Sequence, residues 1–164
     1  MPLISLDQTS PLADGRQSEN AMLVRRGVQR LFLELGLAVV PELPLASGRR
    51  ADLVALTRTG EVWIVEIKSS IEDFRVDRKW PIYRAHCDRL FFATHPGVPA
   101  DIFPEDCGFI LSDGYGAEII RDAPEHKLAG ATRKAVTLRF ARISAARMTL
   151  AELSGLDLPE TDME

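Results

Sequence analysis

Residues 50–68 read RADLVALTRTGEVWIVEIK, two apolar runs on either side of a short polar turn. Side chains alternate faces along a strand, so Val62, Ile64, Glu66 and Lys68 share one side of the second run while Trp63, Val65 and Ile67 share the other. The first face changes from apolar to charged within one strand. That change marks either a site on a buried element or the point where the strand runs out into water, and the turn decides between them. With Arg58, Thr59 and Gly60 as a three-residue hairpin loop, Gly60 takes the last position, where such loops want a positive φ. Thr57 then pairs with Glu61, and counting outward puts Asp52 directly opposite Glu66 on the same face. A two-residue loop would send Asp52 to the other face.

Directly opposed residues have Cβ atoms about 5 Å apart. Two carboxylates that close repel each other unless something positive lies between them, and a hard divalent cation suits the place. Mg²⁺ takes carboxylate oxygens at about 2.0–2.1 Å and keeps several waters, leaving room for a phosphate and an attacking water. Lys68, next along the same face, is positioned to orient or deprotonate that water, or to neutralise charge on a phosphorane-like transition state. The tripeptide Glu66-Ile67-Lys68 alone favours a plain salt bridge at a sheet rim; a buried hairpin with an aligned aspartate favours the metal-site reading.

Upstream, Val24, Val28, Leu31, Phe32 and Leu35 recur at helical spacing from an expected N-cap at Ser18 to Gly36, a helix-stopping glycine. Glu19, Arg25, Arg26, Arg30 and Glu34 form the other face of that helix. Residues 37–40 are expected as a strand broken by PELP, with Glu42 a surface carboxylate. Downstream, SSIEDFRVDRKWP reads as irregular, and Pro81 opens a short helix through His86. DRLFFAT, CGFILSD and GAEIIRD are three further strands. Residues 127–153 are helical, with KAVTLRF open to a strand reading. A helix, strands, and a helix among more strands predict a mixed α/β layer fold. No G-x-G-x-x-G or P-loop is present, so nucleotide-cofactor chemistry is not expected.

The length of 164 residues, with 46% hydrophobic and 27% charged residues, suits one soluble domain, expected over residues 18–150. Residues 1–17 are expected as a flexible lead-in; they lack the basic and apolar regions of a secretory signal, which predicts a cytoplasmic protein. No window is apolar enough to cross a membrane. Cys87 and Cys107 have no close C-x-x-C partner and are expected as reduced, packed thiols, and His86, His95 and His126 do not complete a zinc set. The net charge of −4 excludes a uniformly basic nucleic-acid binder. Residues 151–164 form an acidic tail without Lys or Arg, whereas residues 121–150 carry seven basic against two acidic side chains, Arg133 and Lys134 among them. This run is a candidate phosphate-facing patch.

The order helix, strand, RRAD, hairpin, VEIK resembles the PD-(D/E)xK nuclease superfamily of restriction, resolvase and repair nucleases. More narrowly, GRRADLVAL, GEVWIVEIKSSIEDFRVDRKWPIY and CDRLFFAT are similar to the bacterial MmcB-like family of DNA-repair proteins, over roughly residues 18–148. The resemblance implies a restriction-endonuclease-like mixed central sheet flanked by helices, acting on DNA with Mg²⁺ or Mn²⁺. It implies Asp52 and Glu66 as metal ligands, the backbone carbonyl of Ile67 as a further ligand, and Lys68 as the catalytic lysine. Many members add a glutamate from the first helix, here Glu19, with Glu34 as second choice. The departure is Ala51, where the named motif has proline. Asp73, Asp77, Lys79 and Trp80 follow the lysine strand and are placed to contact DNA or close over the site. Trp80 and Tyr83 fit a core role as well as a base-stacking one, and Arg49 and Arg50, beside Asp52, are candidate phosphate ligands. The rival readings are a non-cleaving DNA-binding module and an adaptor that recruits a repair-protein partner.

Overall fold

The computed structural model describes residues 19–161. Among these, six strands form a mixed sheet in chain order: β1 (Ala38–Pro44), β2 (Arg50–Leu56), β3 (Val62–Ile67), β4 (Arg89–Thr94), β5 (Gly108–Ser112) and β6 (Ala117–Arg121). The pairs β1–β2, β2–β3 and β5–β6 are antiparallel, while β3–β4 and β4–β5 are parallel. The helices are α1 (Glu19–Glu34), α2 (Ile71–Val76) and α3 (Gly130–Leu153), and a 3₁₀ helix spans Trp80–His86. This is the expected α/β arrangement of a mixed central sheet flanked by helices.

β3 and β4 are apolar along nearly their whole length because both faces of the sheet are covered. On one face Val24, Val28 and Phe32 of α1 pack on Leu53, Val65 and Phe91. On the other, Tyr83, Val136 and Phe140 pack on Val54, Ile64 and Phe92. Each such side chain contributes about 1.5–3 kcal/mol by burial. The close seat of α1 needs Gly27: a Cβ there would lie 2.0 Å from the Ser112 Oγ and 2.8 Å from the Gly116 carbonyl.

The hairpin between β2 and β3 has the predicted geometry. Gly60 has φ 86°, and the Thr57 N–H donates to the Glu61 carbonyl at 3.0 Å. The pairs Leu53↔Val65 and Leu56↔Val62 fix the register that sets Asp52 against Glu66.

Elsewhere the structure corrects the sequence reading. PELP does not break β1, which runs through Pro41 to Pro44. Proline removes a ladder donor but is tolerated on an edge strand, and β1 is one. The segment read as irregular contains α2, whose N-cap Ser70 accepts from the Asp73 N–H at 3.0 Å. KAVTLRF is helical and not a strand: it lies within α3, which ends at Leu153 as expected. Leu35 is exposed beyond the end of α1. The expected N-cap Ser18 and the lead-in 1–17 lie outside the described residues. Both cysteines are buried free thiols, and no described helix is long and apolar enough to cross a membrane.

Candidate functional site

The register set at Gly60 brings Asp52 and Glu66 together at the end of the β2–β3 ladder farthest from the turn. The Asp52 N–H donates to Glu66 Oε1 at 3.2 Å, and the Ile67 N–H donates to Asp52 Oδ2 at 2.8 Å. Each carboxylate thus binds the backbone of the opposite strand, which locks the two head to head. Glu66 is only 4% exposed and Asp52 is half-buried. Burial pushes the Asp52 carboxyl up to about 6; the Ile67 N–H opposes that shift and the nearby Glu42 adds to it. Burial and the charge of Asp52 raise Glu66 well above the usual carboxylate range. Both carboxyls therefore keep their protons to higher pH than an ordinary aspartate or glutamate.

Lys68 is buried beside the pair and donates to Asp77 Oδ2 at 2.6 Å. Burial pulls its pKa down, but the hydrogen bond and charge of Asp77, with the charge of Glu66, carry it above its ordinary value. Lys68 is a fixed cation. Asp77 is held in turn by the N–H groups of Lys79 and Trp80 at 2.8 and 3.2 Å. The Ser69 N–H and the Ser70 cap tie Asp73 to the same segment.

These groups line an open cleft of about 480 Å³ that also takes in Ala21, Gly48, Arg49, Arg50, Ile67, Lys79 and Tyr83. The Tyr83 hydroxyl donates to the Arg50 carbonyl at 3.1 Å, so this residue belongs both to the core and to the cleft floor. Its phenol is raised by burial and by Glu66 and Asp52. The cleft is polar, cationic at Arg49, Arg50 and Lys79, and acidic at its base.

Two expectations about neighbouring charges are overturned. Glu42 is buried, not a surface carboxylate, and register places it across from Asp52 on β1. It holds a left-handed φ of 53°, uncommon outside glycine and found where surrounding structure enforces it. Here Arg50 Nε meets Glu42 Oε2 at 2.6 Å, and Arg147 of α3 donates to the Pro41 and Glu42 carbonyls, the latter at 2.7 Å. Arg25, assigned to the solvent face of α1, is also buried. Burial lowers its pKa, while Glu42 and Asp52 oppose that loss. The sequence carried a signal: Arg25 lies four residues after Ala21 and three before Val28, in phase with the apolar stripe.

The first-helix glutamates do not join the pair. Glu19 is exposed at the start of α1 and Glu34 is exposed at its end, while Ala21 is the α1 residue that lines the cleft. Arg133 does not belong to an open basic surface either. Its guanidinium grips Asp88 at 2.5 and 2.7 Å and the Gly60 carbonyl at 3.1 Å, at the hairpin end of the sheet. Lys134 is exposed beside it. Among the described residues, no group of three His, Cys, Asp or Glu side chains is arranged to hold a metal ion.

The model of a family described as DNA repair protein MmcB-like matches residues 8–155. The chain belongs to the MmcB-like family of DNA repair proteins. It is also similar to a solved structure of a protein of unknown function from Silicibacter pomeroyi, at 39% sequence identity and a TM-score of 0.79, over 88% of this chain and 99% of that one. No curated protein matches. The MmcB-like match spans the whole β2–β3 hairpin and the cleft.

Proposed function

We propose that this MmcB-like chain is a divalent-metal-dependent nuclease of DNA repair, built on the PD-(D/E)xK plan, that hydrolyses DNA phosphodiesters in the cleft at Asp52, Glu66 and Lys68. The observation that carries the reading is the head-to-head carboxylate pair, whose raised pKa values mark a place where a cation would relieve repulsion. The donor set fits Mg²⁺ or Mn²⁺. Each carboxylate gives one oxygen to a backbone N–H, so Asp52 Oδ1, Glu66 Oε2 and the Ile67 carbonyl would hold the ion together with waters. Such an ion supplies charge neutralisation at the phosphate and a more acidic bound water.

The chain's own residues then have separate tasks. Lys68, kept charged by Asp77, holds its ammonium toward the reacting water or the developing charge on phosphorus; a group whose proton is held this firmly acts by orientation and electrostatics rather than as a base. Arg49, Arg50 and Lys79 at the cleft walls bind the phosphate backbone. The backbone cross-bonds keep the carboxylates from separating when the cation leaves.

A non-cleaving DNA-binding module is the second reading, favoured by one observation: Ala21 stands where a first-helix glutamate would reach the cleft. One assay separates the two. Wild type, Glu66→Gln and Lys68→Ala are compared on double-stranded, nicked, flapped and single-stranded DNA with Mg²⁺ and with Mn²⁺. The nuclease reading expects cleavage by wild type, loss of metal binding and cleavage in Glu66→Gln, and loss of cleavage with metal retained in Lys68→Ala. Tight binding without cleavage by wild type would establish the binding module, and equal cleavage by all three proteins would refute the site.

A further inference from the structure

The face of α3 turned away from the sheet is not the polar surface expected of a lone surface helix. Lys134, Leu138, Ala141, Ala145, Met148 and Glu152 follow one another at alternating intervals of four and three residues, one continuous stripe. All are exposed, and Leu138 and Met148 show 52% and 55% of their surface. The stripe is apolar in its middle, narrow at Ala141 and Ala145, basic at one end and acidic at the other. It lies opposite Val136 and Phe140, the α3 residues that pack on the sheet.

The order of these residues is self-complementary. Reversed and centred on Ile143, the stripe sets Lys134 against Glu152, Leu138 against Met148 and Ala141 against Ala145, and each pairing occurs twice. A two-fold axis requires this of an isologous contact. We propose that α3 is a homodimerisation helix, pairing antiparallel with α3 of a second copy of this chain. The two alanine pairs let the helices approach closely, the Leu138–Met148 pairs fill the flanks, and an ion pair closes each end. Charge complementarity selects a second copy over an acidic or basic partner, because one stripe carries both signs in the order its own reverse needs. The paired length is roughly 27 Å, and a contact of that size buries on the order of 1,000 Å², the lower end for a specific interface, so the dimer should be reversible on dilution.

Sedimentation equilibrium of the full chain tests this. Wild type is expected at twice the monomer mass at about 100 μM and to dissociate on dilution. Lys134→Glu and Glu152→Lys should each weaken the dimer roughly tenfold by turning two attractions into repulsions. The double variant carrying both should regain wild-type affinity, an outcome that a simple loss of folding cannot produce. Ala145→Arg, at an exposed position, should leave the helical circular dichroism unchanged and the protein monomeric. A wild type that stays monomeric at about 100 μM overturns the proposal; so does a dimer indifferent to these substitutions or a double variant that fails to recover. A monomer whose DNA affinity falls with Lys134→Glu would assign the face to nucleic acid instead.

Discussion

Asp88 and the Asp52–Glu66 pair are carboxylates buried at opposite ends of the same sheet, and they live in opposite electrostatic worlds. Asp88, fully buried before β4, accepts from the Val62 N–H at 2.7 Å, from the Leu128 N–H at 2.9 Å and from both terminal nitrogens of Arg133. Burial raises its pKa, but Arg133 and the two N–H groups outweigh burial and hold it below its ordinary value. Asp52 and Glu66 have one backbone donor each and face a like charge, so burial wins and both are raised. One end of the sheet satisfies its buried charge for the sake of the fold. The other keeps a deficit that stability alone would have removed, and the proposed site rests on that deficit.

The largest effect should come from breaking the satisfied end. Asp88→Ala leaves a guanidinium and two backbone N–H groups without their partner, and should cost about 3–5 kcal/mol in urea unfolding. A loss below about 1 kcal/mol would mean that solvent replaces these bonds and that the contrast between the two ends is false.

Glu66→Gln should do the reverse in metal-free protein, holding stability level or raising it, because it removes one of two repelling charges and keeps the shape. The pH profiles of the two ends should differ in sign. Asp52 and Glu66 are raised above their unfolded values of 3.8 and 4.5, so the folded chain binds more protons and stability falls as pH rises through and above that range. The advantage of Glu66→Gln over wild type should therefore grow from about pH 4.5 upward. Asp88 is lowered from 3.8, so its contribution is complete above that value and is lost as pH falls through its folded pKa. Urea titrations of wild type, Glu66→Gln and Asp88→Asn across this range would sharpen the comparison; parallel profiles would break it.

How far the sequence reveals this contrast depends on how local each feature is. The hairpin register was legible because Gly60 and strict alternation are read within nineteen residues, and the facing of Asp52 and Glu66 follows from counting. The strand through Pro41 and Pro44 was not, because its tolerance rests on β1 being an edge strand, a property of the assembled sheet. Glu42 read as a surface charge for a similar reason, since its partners Arg50 and Arg147 come from β2 and α3, whereas Arg25 was in phase with the apolar stripe and its charge hid that phase. Arg133 counted toward a basic patch because its partner lies 45 residues away.

A smaller loss than at Asp88 is expected at Asp77. Asp77→Asn keeps an acceptor for the Lys79 and Trp80 N–H groups but takes from the buried Lys68 both its acceptor and its counter-charge, so stability should fall by about 1–3 kcal/mol, less than for Asp88→Ala. Without Asp77, Lys68 loses the strongest of the influences that oppose its burial, and the alkaline limit of the proposed cleavage should move to lower pH. An unmoved limit would detach Lys68 from the chemistry.

The most direct test of the unsatisfied end is calorimetric titration with Mn²⁺ at neutral pH in two buffers of different ionisation enthalpy. The carboxylate pair should bind one Mn²⁺ per chain with release of protons, the release growing as pH is lowered, because the ion binds the deprotonated form of two carboxyls that hold their protons above the ordinary range. Asp52→Asn and Glu66→Gln should each abolish that binding, while Asp88→Asn, once folded, should keep it. Mn²⁺ binding that survives both substitutions at the pair, or a wild type that binds none, would contradict the assignment of this site.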